Sequence, residues 1–146
     1  MAVTTDIGDA GDIHPKNKQE VGYRLGRIAL AKVYGVKTEY SGPLYTSFSK
    51  KGNSIVLAFS ENTGLKSSDN KSLKGFSIAG NDKVFYRADA KVVNGTVVVS
   101  SAKVPEPVSV RYNWADNPDG NLTNASGLPA SSFRTDDWQG VTFGKM

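Results

Sequence analysis

Hydrophobic and polar positions change their rhythm near residue 40. Upstream, Val21, Leu25, Ile28 and Ala29 recur three and four apart between Pro15 and Tyr34, the spacing that gives a helix one apolar face. Pro15 suits the first helical position, where a missing N–H costs nothing, and Gly35 falls just past the last turn, where a left-handed residue ends a helix. Gly22 and Gly26 share a face four residues apart, which predicts a helix lying close against another backbone, with a sheet as its support.

Downstream the period becomes two. Ser54 to Ser60, Leu73 to Ile78, Val84 to Val93, Thr96 to Ser100 and Val108 to Trp114 read as strands, set apart by the turn-rich stretches Glu61 to Gly64, Ser67 to Asn70 and Ala79 to Asp82, and by Pro105 and Pro107. Asn94-Gly95 is a two-residue hairpin signal between the third strand and the fourth. Five short strands of this kind predict a small antiparallel β-sandwich or half of one, followed from Ala115 to Met146 by an irregular tail rich in Pro, Gly and Asn. The fold class expected is therefore mainly β with one N-terminal helix, divided into residues 1–39 and 40–146.

Composition narrows the chemistry. The 146 residues leave room for one modest core, and the absence of Cys excludes a disulfide framework, a thiol nucleophile and a thiolate metal site. A net charge of +4 would suggest a nucleic-acid partner if the cations clustered. Instead Lys66, Lys71, Lys74, Lys83, Lys91 and Lys103 are spread between apolar stretches, as solvent-facing strand and turn residues are, so no nucleic-acid partner is expected. No stretch approaches the roughly 18 apolar residues of a membrane span. Met1 to Pro15 lacks the basic start and apolar run of a signal peptide, so the chain as it stands reads as soluble, with no membrane partner.

The one His, His14, sits in Asp12-Ile13-His14-Pro15, with Asp9 and Asp6 upstream. A carboxylate beside an imidazole fixes its tautomer and stabilises the imidazolium formed in general-base catalysis. The same residues also read as a loop His with Asp12 capping the helix. One His among several Asp lacks a ligand framework, so neither a metal nor a cofactor is expected. Trp114, Trp138, Tyr112, Phe133 and Arg134 have the side chains of a sugar-binding surface, but Tyr112 and Trp114 stand two apart on one strand face, which predicts burial of both against the helix or tail.

Asp12-Ile-His-Pro-Lys-Asn-Lys-Gln-Glu-Val-Gly-Tyr-Arg-Leu25 resembles the closing block of the sialate O-acetylesterases, serine esterases of the SGNH-hydrolase type in which an Ile-His-Pro segment carries the catalytic His. Tyr40-Ser-Gly-Pro-Leu44, Leu73-Lys-Gly-Phe-Ser-Ile-Ala-Gly80, Val110-Arg-Tyr-Asn-Trp-Ala-Asp-Asn-Pro118 and the run from Asn121 to Asp136 look like successive landmarks of that family's C-terminal region. The resemblance implies that His14 is the general base serving a Ser nucleophile, with Asp12 as its partner and Asp9 as the reserve. The family places its acid three residues before the His, where Gly11 stands here.

The family's early Gly-x-Ser nucleophile has no counterpart. Ser41, Ser54 and Ser126 are the Ser residues nearest to Gly, and none sits on a strand-to-helix elbow. The resemblance therefore implies a C-terminal segment of a sialate O-acetylesterase-like hydrolase, inactive alone. Residues 1–39 would be the last active-site loop and C-terminal helix of an SGNH α/β catalytic domain, and 40–146 a β-rich appended domain. Its partners would be O-acetylated sialic acid or another acetylated sugar and the missing N-terminal catalytic portion, with an extracytoplasmic location. The alternative is a stand-alone β-sandwich module that binds carbohydrate or serves as a structural accessory.

Overall fold

A computed structural model describes residues 1–14, 16–60, 64–140 and 142–144. The expected helix start at Pro15 and most of the expected loop from Glu61 to Gly64 lie outside those residues. Helix α1 spans Lys18–Lys32. Its N-cap is Asn17, whose side-chain oxygen accepts the Glu20 N–H at 3.1 Å. Asp12 is therefore not the helix cap. At the other end Gly35 takes φ +67 and the Val36 N–H donates to the Leu30 carbonyl at 2.9 Å, closing the helix as the Gly signal predicted.

The expectation that Gly22 and Gly26 press against another backbone is not met. A Cβ at either position would meet nothing within 4 Å, and Tyr23, Leu25 and Leu30 are exposed. Arg24 is the buried residue of α1, and no α1 residue belongs to the hydrophobic core. The described residues thus leave the helix face without the sheet that its pattern calls for.

The remainder is mainly β, in antiparallel sheets. Strands β1 (Leu44–Lys51), β2 (Ser54–Ser60), β6 (Asp89–Val93) and β7 (Thr96–Ser100) form one four-stranded sheet in the order β1-β2-β7-β6. Strands β4 (Phe76–Ala79), β5 (Phe85–Arg87), β8 (Ser109–Tyr112) and β10 (Phe133–Arg134) form another in the order β10-β8-β4-β5, while β3 (Lys66–Ser67) pairs with β9 (Leu122–Thr123). In β2 and β7 alternate residues point inward, burying Ile55, Leu57, Phe59, Val97 and Val99. These meet Phe76, Ile78, Val110 and Tyr112 from the second sheet in one core. Each such side chain contributes roughly 1.5–3 kcal/mol by leaving water.

Asn94 and Gly95 both take positive φ, 47° and 74°, giving the β6–β7 hairpin the turn that its sequence signals. Elsewhere local backbone overrides the pattern. The single strand expected from Val84 to Val93 divides at buried Ala88, whose N–H donates to the Phe76 carbonyl, so β5 and β6 join different sheets. Gly75 at φ +81 delays β4 to Phe76, and Asn113 at φ +50 ends β8 at Tyr112. Strand β1 escapes the apolar pattern because it is an edge strand with mostly exposed, polar residues.

The tail corrects the sequence expectation most strongly. Far from being irregular throughout, it supplies β9 and β10 and buries Leu122, Asn124, Leu128, Ala130 and Phe133. The Phe133 ring stacks on Tyr45 at 4.7 Å and lies 5.7 Å from both Phe59 and Tyr112, tying the two four-stranded sheets together. Fully buried Asn124 donates to the Ser41 carbonyl at 3.1 Å and accepts the Leu128 N–H at 2.9 Å. Gly42 passes so close that a Cβ there would lie 2.0 Å from the Pro129 carbonyl oxygen.

Buried Tyr112 accepts the Leu122 N–H at 2.9 Å, and burial pushes its phenol up to about 12. Tyr112→Phe is expected to leave that N–H unpaired and to lower stability by about 1–3 kcal/mol, measured by thermal unfolding with the fold retained.

Candidate functional site

The chain from Asp9 to Lys16 folds on its own carboxylates. Asp12 N–H donates to the Asp9 carbonyl at 3.3 Å, closing a turn, and the Gly11 N–H donates to Asp9 Oδ1 at 3.0 Å. Lys16 Nζ bonds Asp9 Oδ2 at 3.2 Å and lies 3.8 Å from Asp12 Oδ2. That leaves the other Asp12 oxygen for the imidazole. Oδ1 accepts the His14 backbone N–H at 2.9 Å and contacts His14 Nδ1 at 2.8 Å.

These bonds hold the Asp12 carboxyl below its ordinary value, so it is an ionised acceptor over the range in which imidazole titrates. The backbone bond from Gly11 and the side-chain bond from Lys16 do the same for Asp9. An ionised acceptor at Nδ1 favours the neutral tautomer with its proton there, which leaves Nε2 as the acceptor. With 84% of its side chain exposed, His14 lies open to solvent rather than in a closed cleft. The structure therefore brings His14 and Asp12 together and engages Asp9 with Gly11 and Lys16 instead.

Asp12→Ala is expected to shift neutral His14 from the Nδ1–H tautomer toward Nε2–H, read from imidazole 15N chemical shifts, with the fold unchanged because both residues are at the surface. Retention of the Nδ1–H form in the variant would show that Asp12 does not set it.

The loop is anchored by a residue that sequence reasoning missed. Arg24, 6% exposed, donates to both carboxylate oxygens of Asp6 at 2.6 and 2.8 Å, to Glu20 Oε1 at 2.9 Å and to the Val3 carbonyl at 2.7 Å. It thereby ties the segment before the His loop to the helix after it. The legible part of this clamp was Glu20 and Arg24 one helical turn apart; the Asp6 partner, eighteen residues away, leaves no periodic trace.

A second cluster lies on the β10-β8-β4-β5 sheet. Asp136, with a side chain 1% exposed, accepts Arg111 Nε and Nη2 at 2.9 and 2.7 Å and Ser109 Oγ at 2.9 Å. The Arg111 guanidinium lies over Phe85 at 4.1 Å and 5.9 Å from the Trp114 ring centre, while that of Arg134 is 5.3 Å from the same ring. The shared burial expected of Tyr112 and Trp114 holds for one of them. Tyr112 is buried, but the positive φ of Asn113 turns the chain out of the strand and leaves Trp114 53% exposed.

A concavity of about 890 Å³ beside β6 contains none of the sequence-predicted site residues. Among the described residues no group of His, Asp and Glu is arranged to hold a metal ion, and no helix is long and apolar enough to cross a membrane.

No protein-family model and no curated protein sequence matches the chain. Among solved structures it is similar to the crystal structure of XAC1771, a novel carbohydrate acetylesterase from Xanthomonas citri, at 43% sequence identity and a TM-score of 0.91. The match covers 94% of this chain and 32% of that one, so the chain spans about a third of the length of the esterase it resembles.

Proposed function

We propose that this chain is the C-terminal segment of a carbohydrate acetylesterase and that it supplies the catalytic His. The observation that carries the reading is the 2.8 Å contact between His14 Nδ1 and Asp12 Oδ1 in an exposed imidazole, in a chain similar to a third of XAC1771. A Ser nucleophile from the remaining polypeptide would lose its hydroxyl proton to Nε2 as it attacks the acetyl carbonyl. The same proton then passes to the departing sugar hydroxyl. Water attacks the resulting acetyl-Ser by the reverse assignment, releasing acetate and restoring the neutral imidazole.

In this reading residues 1–39 are the last active-site loop and final helix of an SGNH-type catalytic domain. The helix face around Leu25, open in the described residues, packs on the catalytic sheet, and 40–146 form the appended β-domain. The sugar is an O-acetylated sialic acid or a related acetylated sugar, and the protein works outside the cytoplasm.

The test is a hybrid enzyme in which this chain replaces the matching third of the Xanthomonas citri acetylesterase. Hydrolysis of p-nitrophenyl acetate and of O-acetylated sugars by the hybrid, with none from the truncated remainder, is the expected result. A folded hybrid without activity would overturn the reading.

A further inference from the structure

We propose that Trp114 is the stacking platform of a glycan subsite, which receives a pyranose ring of a saccharide chain on the β-domain. The inference deepens the carbohydrate reading above and rests on it for the substrate class. Its geometric support is separate. A Trp has a large apolar surface that hydration does not favour, and a compact β-domain usually buries it. Here Asn113 at φ +50 turns the chain out of the Tyr112 strand, and Trp114 is 53% exposed, with the Arg134 and Arg111 guanidinium groups 5.3 and 5.9 Å from its ring centre. Asn113 is itself fixed in that conformation, since its Oδ1 accepts the Gly120 N–H at 2.8 Å and its N–H donates to the Gly75 carbonyl at 2.9 Å. The exposure is therefore built by the backbone.

The surroundings suit a sugar better than a protein partner. Trp114 lines two concavities, of about 290 and 530 Å³. The larger is lined by Arg111, Asp116, Ser132 and Gln139, which offer donors and acceptors for ring hydroxyls beside the indole. A protein-docking face would gather several apolar side chains at its centre. Arg111 is held by two bonds to buried Asp136, so its guanidinium is preorganised beside the ring and loses little freedom when a ligand arrives.

The experiment titrates the chain with oligosaccharides that carry no acetyl ester, so that its outcome is independent of hydrolysis. The probes are cellotetraose, xylotetraose, mannotetraose and sialyllactose, followed through the indole N–H signals of the two Trp residues, which Trp114→Ala assigns. The expected result is movement of the Trp114 indole signal by at least one probe with a Kd on the order of 1 mM, and a loss of about tenfold or more in Trp114→Ala. Trp114→Phe, which keeps an aromatic face, retains part of the affinity and shows that the fold is intact. No movement with any probe at about 10 mM overturns the proposal, as does binding that survives in folded Trp114→Ala. Active hybrid enzyme without this binding would leave the esterase reading standing and remove the subsite alone.

Discussion

His14→Ala, introduced into the hybrid esterase, is expected to lower kcat by about 10³–10⁴-fold while KM for an acetylated sugar changes little. The split follows from the proposed role, in which His14 would act on a proton in flight: Nε2 would accept from the Ser hydroxyl only as the acetyl carbonyl is attacked, so the interaction would be worth most in the transition state and little in the bound ground state. Truncation to Ala costs little stability, because 84% of the side chain is exposed and its bonds run to a surface carboxylate. A variant of normal thermal stability with nearly full kcat would show that the base lies elsewhere. A proportionate rise in KM would make His14 a binding residue. Stopped-flow release of p-nitrophenol separates the cases, because loss of the base slows acylation and suppresses the burst.

How much of this was legible depends on the range over which each feature is determined. The β2 and β7 strands, the Asn94-Gly95 hairpin and the Gly35 helix end follow from local periodicity and turn chemistry, and the structure matches them. The Asp12 and His14 contact was readable for the same reason, since both groups lie within one turn of chain. What stayed hidden depends on partners far along the chain. Leu122, Asn124 and Phe133 read as loop because short polar stretches flank them, yet Ser41, Tyr45 and Tyr112 are waiting for them on other elements. The stretches Ser41-Gly-Pro43, Gly75-Phe76, Tyr112-Asn113 and Asn121 to Pro129 are also those that look like family landmarks. In space they meet one another: Gly42 against Pro129, Asn113 on Gly75, Tyr112 on Leu122.

The second large effect is expected at Asp136, where one carboxylate joins the stability of the tail to the placement of Trp114. Burial by itself raises the Asp136 carboxyl. Bonds from Arg111 and Ser109, with the Arg111 charge, outweigh that and hold it below its ordinary value. A carboxyl depressed in the folded state contributes stability above its unfolded pKa and loses it as pH falls through the folded one. Asp136→Asn keeps the shape and removes the charge, leaving Arg111, 18% exposed, beside a neutral amide. A loss of about 2–4 kcal/mol near neutral pH is expected from urea unfolding. The gap between wild type and variant should close as pH falls below about 4, where the unfolded carboxyl and then the folded one take up protons. A gap of constant size across that range would mean that packing, and not the Arg111 pairing, was lost. Because Arg111 also lies beside the Trp114 ring, the variant should weaken glycan binding at neutral pH even where it remains folded. Stability and recognition would then fall together through a carboxylate that no ligand touches.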